Sequence, residues 1–284
     1  MTLEDERAMT ILGKTTQRKD GKYEVGLLWQ DEHVRMPDNY GSAHARLESL
    51  ERGLSKNPER AEAYQAVLES YVQQGYAKKL TDEEREETKT KRWILPHHAV
   101  NHPEKPKPRF VFDAAAQCRE TSLNSELLKG PDLMQNLQGV VLCFREQHYA
   151  VVADSYQMFH QIQVRLEDQL ALSFLWRDMD ATKKPDLYQM LVVIFGARCS
   201  PCIANYILRR ALSEETVAGD TEVESPLFSS FYVDDFLCSE KSPEEALAIM
   251  SKVTSLLSQG GFRLTKWRSS HPELLQLVPE SDLD

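Results

Sequence analysis

Apolar residues recur at helical spacing in some stretches of this chain and cluster or alternate in others, which divides it into elements. Tyr23-Glu-Val-Gly-Leu-Leu-Trp29 predicts a short strand. Leu47, Leu50 and Leu54 define one face of a helix that starts near Ser42. A second helix is signalled at both ends, with Asn57 as N-cap, Pro58 at the first helical position and Gly75 as the stop. Its Ala61, Tyr64, Leu68, Tyr71 and Val72 share a face, which reads as core rather than as a cofactor site. The charged run over 81–92 reads as a solvated connector and as the one candidate boundary. It separates an N-terminal segment, 1–90, from a second region, 91–284.

Beyond it the pattern mixes periods. Strands are expected over 93–96 and 110–112, flanking a loop with Pro103, Pro106 and Pro108. A helix is expected to open at Pro131 and carry Leu133, Leu137, Val140, Val141 and Phe144. A strand over 149–154 ends in a carboxylate, and further strands are expected over 170–176 and 188–194, then a helix from Ser200. Phe231-Tyr-Val-Asp-Asp-Phe-Leu-Cys238 reads as apolar strand, acidic turn, apolar strand. A helix over 242–260 and a strand over 262–265 close the series. Strands and helices interleave without a βαβ rhythm, so the fold class is α+β rather than doubly wound.

Charge narrows the function. Thirty-four Lys and Arg oppose 44 Asp and Glu, a net charge of −10, which counts against a stand-alone nucleic-acid binder. The basic residues are not evenly spread: Lys89, Lys91, Arg92, Lys105, Lys107 and Arg109 lie within one stretch that has a single acid, Glu104. Such a strip suits a polyanion at one place only. The longest apolar run, 190–197, is far shorter than the roughly 20 residues of a membrane helix, so no membrane partner is expected. The acidic N-terminus is neither a signal nor a transit peptide, and five cysteines do not make a disulfide framework. A reduced, cytoplasmic protein is the expectation.

The acidic pair Asp234-Asp235 sits between apolar runs, where a buried charge is costly unless a cation or donors compensate. It reads either as a surface β-turn or as part of a metal site, and the latter needs a third carboxylate. Asp154, at the end of an apolar strand, is the candidate. Magnesium takes hard oxygen ligands, and two such ions about 4 Å apart serve phosphoryl and nucleotidyl transfer. Other motifs read as structural. Cys199-Ser-Pro-Cys202 has no second cysteine pair and suits buried side chains at a helix start. His97, His98 and His102 are bracketed by Pro96 and Pro103, which forbid a helical ligand pair.

Phe231-Tyr-Val-Asp-Asp resembles the hairpin signature of reverse transcriptases. Ala153-Asp-Ser-Tyr-Gln-Met-Phe-His160 resembles the first catalytic palm motif, and 193–201, running into Asn205, the segment that supports template and incoming nucleotide. Lys107-Pro-Arg-Phe-Val-Phe-Asp113 is similar to the fingers segment, and 260–267 to the end of the palm. Trp93-Ile-Leu-Pro-His-His, Thr121-Ser-Leu-Asn, Leu128-Lys-Gly-Pro-Asp-Leu and Gly261-Phe-Arg-Leu-Thr-Lys-Trp are similar to BEL/Pao-type long-terminal-repeat retrotransposons, and 23–29 resembles the stretch preceding their polymerase.

The resemblance implies a right-hand polymerase, fingers and palm with an antiparallel palm sheet, catalysing RNA-directed DNA synthesis. Asp154 and Asp234 would bind two Mg²⁺ (or Mn²⁺) ions, with Asp235 completing the set. Phe159 would be the gate against a ribose 2′-hydroxyl. Arg109 would grip the triphosphate, helped by Lys105 or Lys107. Gly196 would allow close backbone approach to the nucleotide, Ser200 and Pro201 would start the helix beneath the template, and Lys266 would protonate pyrophosphate. Ser155, Tyr156 and Gln157 depart from the more apolar and charged trio expected after the first aspartate. The implied partners are an RNA or DNA template-primer, deoxynucleoside triphosphates and the rest of a polyprotein (protease, thumb, ribonuclease H, integrase), in the cytoplasm or in retroelement particles. Nothing in the sequence resembles a thumb, so an excerpt of a polyprotein or a genomic remnant is expected. The alternative class is a catalytically silent remnant acting as a nucleic-acid or protein binding module. A two-metal nuclease or phosphatase would share the carboxylates but leave Phe159 and 196–201 without a role.

Overall fold

The two-residue period of the strands and the 3.6-residue period of the helices are both realised in the computed structural model, which describes residues 1–86, 91–102, 105–213 and 226–284. The chain forms two separately packed units whose segments alternate along the sequence. One comprises Met1–Thr15, Val25–Gly130 and Gln163–Ser200; the other comprises Thr16–Glu24, Pro131–Ile162 and Pro201–Asp284.

The first unit contains the expected helices. They span Tyr40–Leu54 and Pro58–Gln73, the latter capped by Asn57, whose side chain accepts from the Arg60 amide at 3.0 Å. Gly75 follows with φ of +71°, the left-handed stop its sequence position implies. A further helix, Leu3–Thr15, went unrecognised because Ala8 and Leu12 are its only buried positions. Two antiparallel sheets complete the unit, Ala77–Lys79 with Asp186–Met190 and Ser173–Trp176, and the hairpin His97–His102 with Lys105–Phe112. The expected 93–96 strand is only a single bridge, Ile94 to Ser173. Of the 81–92 connector, Asp82–Glu86 is helical, and 87–90 lie outside the described residues.

Two polar clusters pin this unit. Asp168, fully buried, accepts from the Leu27 amide and Trp29 Nε1 at 2.8 Å each and from Arg165 Nε at 2.6 Å. A buried carboxylate is tolerated only with such a complete set of donors. His97 is held between the Tyr64 hydroxyl, which donates to Nδ1 at 2.6 Å, and the Leu175 carbonyl, which accepts from Nε2 at 2.8 Å. Its ring stacks on Phe110. It is a core residue, as the bracketing prolines implied.

The second unit is built around a four-stranded antiparallel sheet in the order Phe231–Tyr232, Asp235–Glu240, Tyr149–Ser155, Leu264–Ser269. Alternation gives each strand a buried side: Val151, Ala153 and Ser155 on one strand, Phe236 and Cys238 on its neighbour. Helix Pro243–Gln259 packs against these strands. Its N-cap Ser242 accepts from the Glu245 amide. The rings of Phe231, Phe236 and Trp267 meet in this core. Helix Ser200–Leu212 begins where expected, whereas the helix predicted from Pro131 starts only at Leu137, capped by Asn136. The closing strand runs Leu264–Ser269 rather than ending at Thr265. Among the described residues, no helix is long and apolar enough to cross a membrane.

Candidate active site

The acidic face of the second unit follows from strand register. Asp154 and Asp235 are direct cross-strand partners, and Thr265 faces Asp154 from the other side. Asp234 occupies the turn between Phe231–Tyr232 and Asp235–Glu240 together with Val233, whose φ is +56°. A left-handed first turn position matches the strand twist of a two-residue hairpin loop, but valine adopts it at a cost. The turn is tied down by the Ser155 amide, which donates to the Asp234 carbonyl at 2.7 Å. Three carboxylate residues from two distant parts of the sequence thus meet at one end of one sheet.

Asp154, Val152, Asp235 and Leu237 alternate with the buried positions and so share the opposite side of their strands. They line a cavity of about 310 Å³ together with Lys266 and Arg268. Lys266 enters it through a bulge. The register passes from Thr265 opposite Asp154 to Arg268 opposite Val152, one residue more than the facing strand, and Lys266 has φ of +53°. Its Nζ lies 2.7 Å from Asp154 Oδ2. Burial pushes the Asp235 carboxyl above the usual carboxylate range, the negative charges of Asp234 and Asp154 add to the rise, and Lys266 opposes it.

Among the described residues no three His, Cys, Asp or Glu side chains converge as a ready-made metal cage. The donor chemistry nonetheless fits a hard divalent cation. It offers the carboxylate oxygens of Asp154 and Asp235 beside an open cavity, where burial first and neighbouring negative charge second disfavour ionisation of Asp235.

Phe159 lies half-buried on the single turn Met158–Gln161, which follows Gln157 at φ of +47° in the same unit. Gly196 and Ser200 belong to the other unit. Gly196 has φ of +110°, and a Cβ there would fall 2.2 Å from the Phe112 carbonyl oxygen, so its close approach is to this chain's own backbone. Ser200 donates to the Ile194 carbonyl at 2.6 Å, and Pro201 follows it in the first turn of helix Ser200–Leu212. Lys105, Lys107 and Arg109 lie on strand Lys105–Phe112, with Arg109 opposite Val100; their side chains lie outside the described residues. Cys199 and Cys202 are buried thiols, and none of the five cysteines is in a disulfide; burial pushes Cys199 up to about 12. Among the cavity residues that sequence reading missed is Arg268. Its signal was the alternation of Lys266 and Arg268, hidden by ending the strand at Thr265.

The sheet and its acidic hairpin lie within a segment that a known family matches. The reverse transcriptase (RNA-dependent DNA polymerase) family matches residues 102–270, and the chain belongs to that family. Among solved structures it is similar to the foamy viral protease-reverse transcriptase in complex with double-stranded DNA, with 20% identity and a TM-score of 0.54. That match covers 72% of this chain and 30% of the other. The native prototype foamy virus enzyme matches at 20% identity and TM-score 0.53, over 75% of this chain and 24% of that one. A mutant of the same viral enzyme matches at 16% identity and TM-score 0.55, covering 94% of this chain and 33% of the viral one. At such identities the likeness is one of fold, and the chain spans about a third or less of those proteins. No curated protein sequence matches it.

Proposed function

We propose that the chain is the fingers-and-palm part of an RNA-directed DNA polymerase of BEL/Pao retrotransposon type, with residues 1–90 preceding a polymerase region over 91–284. The observation that carries this reading is the register of Asp154 against Asp235, with Asp234 on the adjoining turn, inside the segment matched by the family. Asp154 and Asp234 are the proposed ligands of two Mg²⁺ or Mn²⁺ ions, with Asp235 completing the set. The ions supply acidity to the primer 3′-hydroxyl and charge neutralisation to the leaving pyrophosphate.

The chain's own residues do the positioning. Asp154 and Asp235 fix the reacting end of the cavity because their strands are hydrogen-bonded to each other. Phe159 screens the sugar, Arg109 with Lys105 or Lys107 holds the triphosphate, and Lys266 delivers a proton to pyrophosphate. Gly196, Ser200 and Pro201 shape the nucleotide and template support. The foamy viral relatives were solved with double-stranded DNA and with an RNA/DNA hybrid. That supports a template-primer as partner here, with deoxynucleoside triphosphates as substrates.

The test is extension of a DNA primer on an RNA template by this chain continued through the thumb that follows it in such elements. Mg²⁺-dependent synthesis that Asp234→Asn abolishes is the expected result. No synthesis by the extended chain would replace this reading with the catalytically silent remnant.

A further inference from the structure

Lys266 reaches the acidic cavity by a distorted route, and what it does there is not explained by strand geometry alone. A bulge re-aims the side chain it carries. Here the extra residue between Thr265 and Arg268 goes with a left-handed lysine, a conformation L side chains adopt at a cost, and the ammonium ends 2.7 Å from Asp154 Oδ2. Arg268, the other cation of the cavity, is taken up by Asp284, with Nε 2.7 Å from Oδ2. Of the two cavity cations, Lys266 is thus the one paired with Asp154.

We propose that Lys266 is a built-in counter-ion of the carboxylate site: without a divalent ion its ammonium neutralises Asp154, and a divalent cation binds by displacing it. The inference rests on the reading of Asp154, Asp234 and Asp235 as metal ligands. An ammonium and a metal ion compete for the same carboxylate oxygen, and the one ammonium on Asp154 does not offset the burial and negative charge that act on Asp235 directly opposite. That residual charge is what a divalent ion gains by entering. The lysine side chain is about half exposed (53%) on a flexible four-carbon stem, so leaving Asp154 requires no rearrangement of the sheet. The device keeps the acidic hairpin from repelling itself open when the ion is absent.

The experiment measures Mn²⁺ binding to the 284-residue chain by electron paramagnetic resonance, for wild type, Lys266→Met, Lys266→Arg and Asp154→Asn. Lys266→Met should bind Mn²⁺ more tightly, about fivefold, the scale of one partly exposed ion pair. Lys266→Arg should stay near wild type, and Asp154→Asn should lose the site. In the wild-type chain, reductive methylation of Lys266, read by mass spectrometry, should speed up when Mg²⁺ is added, which tests the displacement without a variant. Asp154-dependent binding of equal strength in wild type and Lys266→Met, with methylation indifferent to Mg²⁺, would overturn the counter-ion and leave the metal site standing. Binding that Asp154→Asn does not alter would overturn both.

Discussion

At the scale of single residues, the groups that look most chemical in the sequence divide by what surrounds them. His97 and Asp154 are both titratable and both follow an apolar stretch, yet one is locked in a core and the other opens on a cavity. Burial lowers His97 to about 4 from 6.5, partly offset by the Leu175 carbonyl that holds its Nε2 proton. The sign follows directly. Below about pH 6.5 the unfolded chain takes up a proton that the folded chain refuses until about pH 4. The stability from this group is therefore complete above pH 6.5 and lost as pH falls through that window, by about 3 kcal/mol in total. Burial lowers His160 to about 4 as well, so two groups contribute. Urea unfolding between pH 7 and 4.5 should show a falling stability whose slope drops by about half in His97→Gln. An unchanged slope in that variant would show His97 to be protonated in the fold.

At the scale of elements, the sequence was most readable where local chemistry and burial agree. The helix Pro58–Gln73 has its cap, its proline and its stop in the residues themselves, and the hairpin 231–240 has two apolar runs around an acidic turn. Legibility failed where tertiary contacts decide. Leu133 supports helical spacing, but the helix begins only after Asn136 caps it, and the Leu133 carbonyl instead accepts from Arg209 at 2.9 Å. The strand Leu264–Ser269 outran its predicted end because the bulge at Lys266 breaks the period of two that a strand reading needs. The same break concealed Arg268 from the candidate site. The hairpin turn carries a testable strain. Val233 at φ of +56° is β-branched in a region costing about 1–2 kcal/mol for L residues, against roughly 0.5–1 kcal/mol of extra chain entropy for glycine. Val233→Gly should therefore raise thermal stability slightly, by up to about 1 kcal/mol, while keeping the hairpin. A loss of stability in calorimetry would mean that the valine side chain contributes packing that outweighs its backbone strain.

At the scale of the whole molecule, charge and extent set what this chain can hold. The matched foamy viral chains are much longer, since the matches cover only 24–33% of them. A duplex is retained mainly by neutralising its phosphates, each contact lowering the logarithm of affinity by about 0.9 per decade of salt. A net charge of −10 works against holding a polyanion, and the sequence concentrates cations in the stretch from Lys89 to Arg109. Positioning of bound reactants can supply about 7–11 kcal/mol of barrier lowering, and it is forfeited when the substrate is not held. The 284-residue chain should accordingly bind a template-primer weakly, with a shallow salt slope, and extend it little even with the carboxylates intact. If the proposed function holds, the same chain fused to a reverse-transcriptase thumb should bind with a steeper slope and recover synthesis in proportion to the phosphate contacts it gains. Fluorescence anisotropy across 50–300 mM salt, about the range over which such contacts are lost, reads both slopes on one labelled duplex. Tight binding and processive extension by the 284 residues alone would show that they suffice to grip the duplex, and that net charge does not govern affinity.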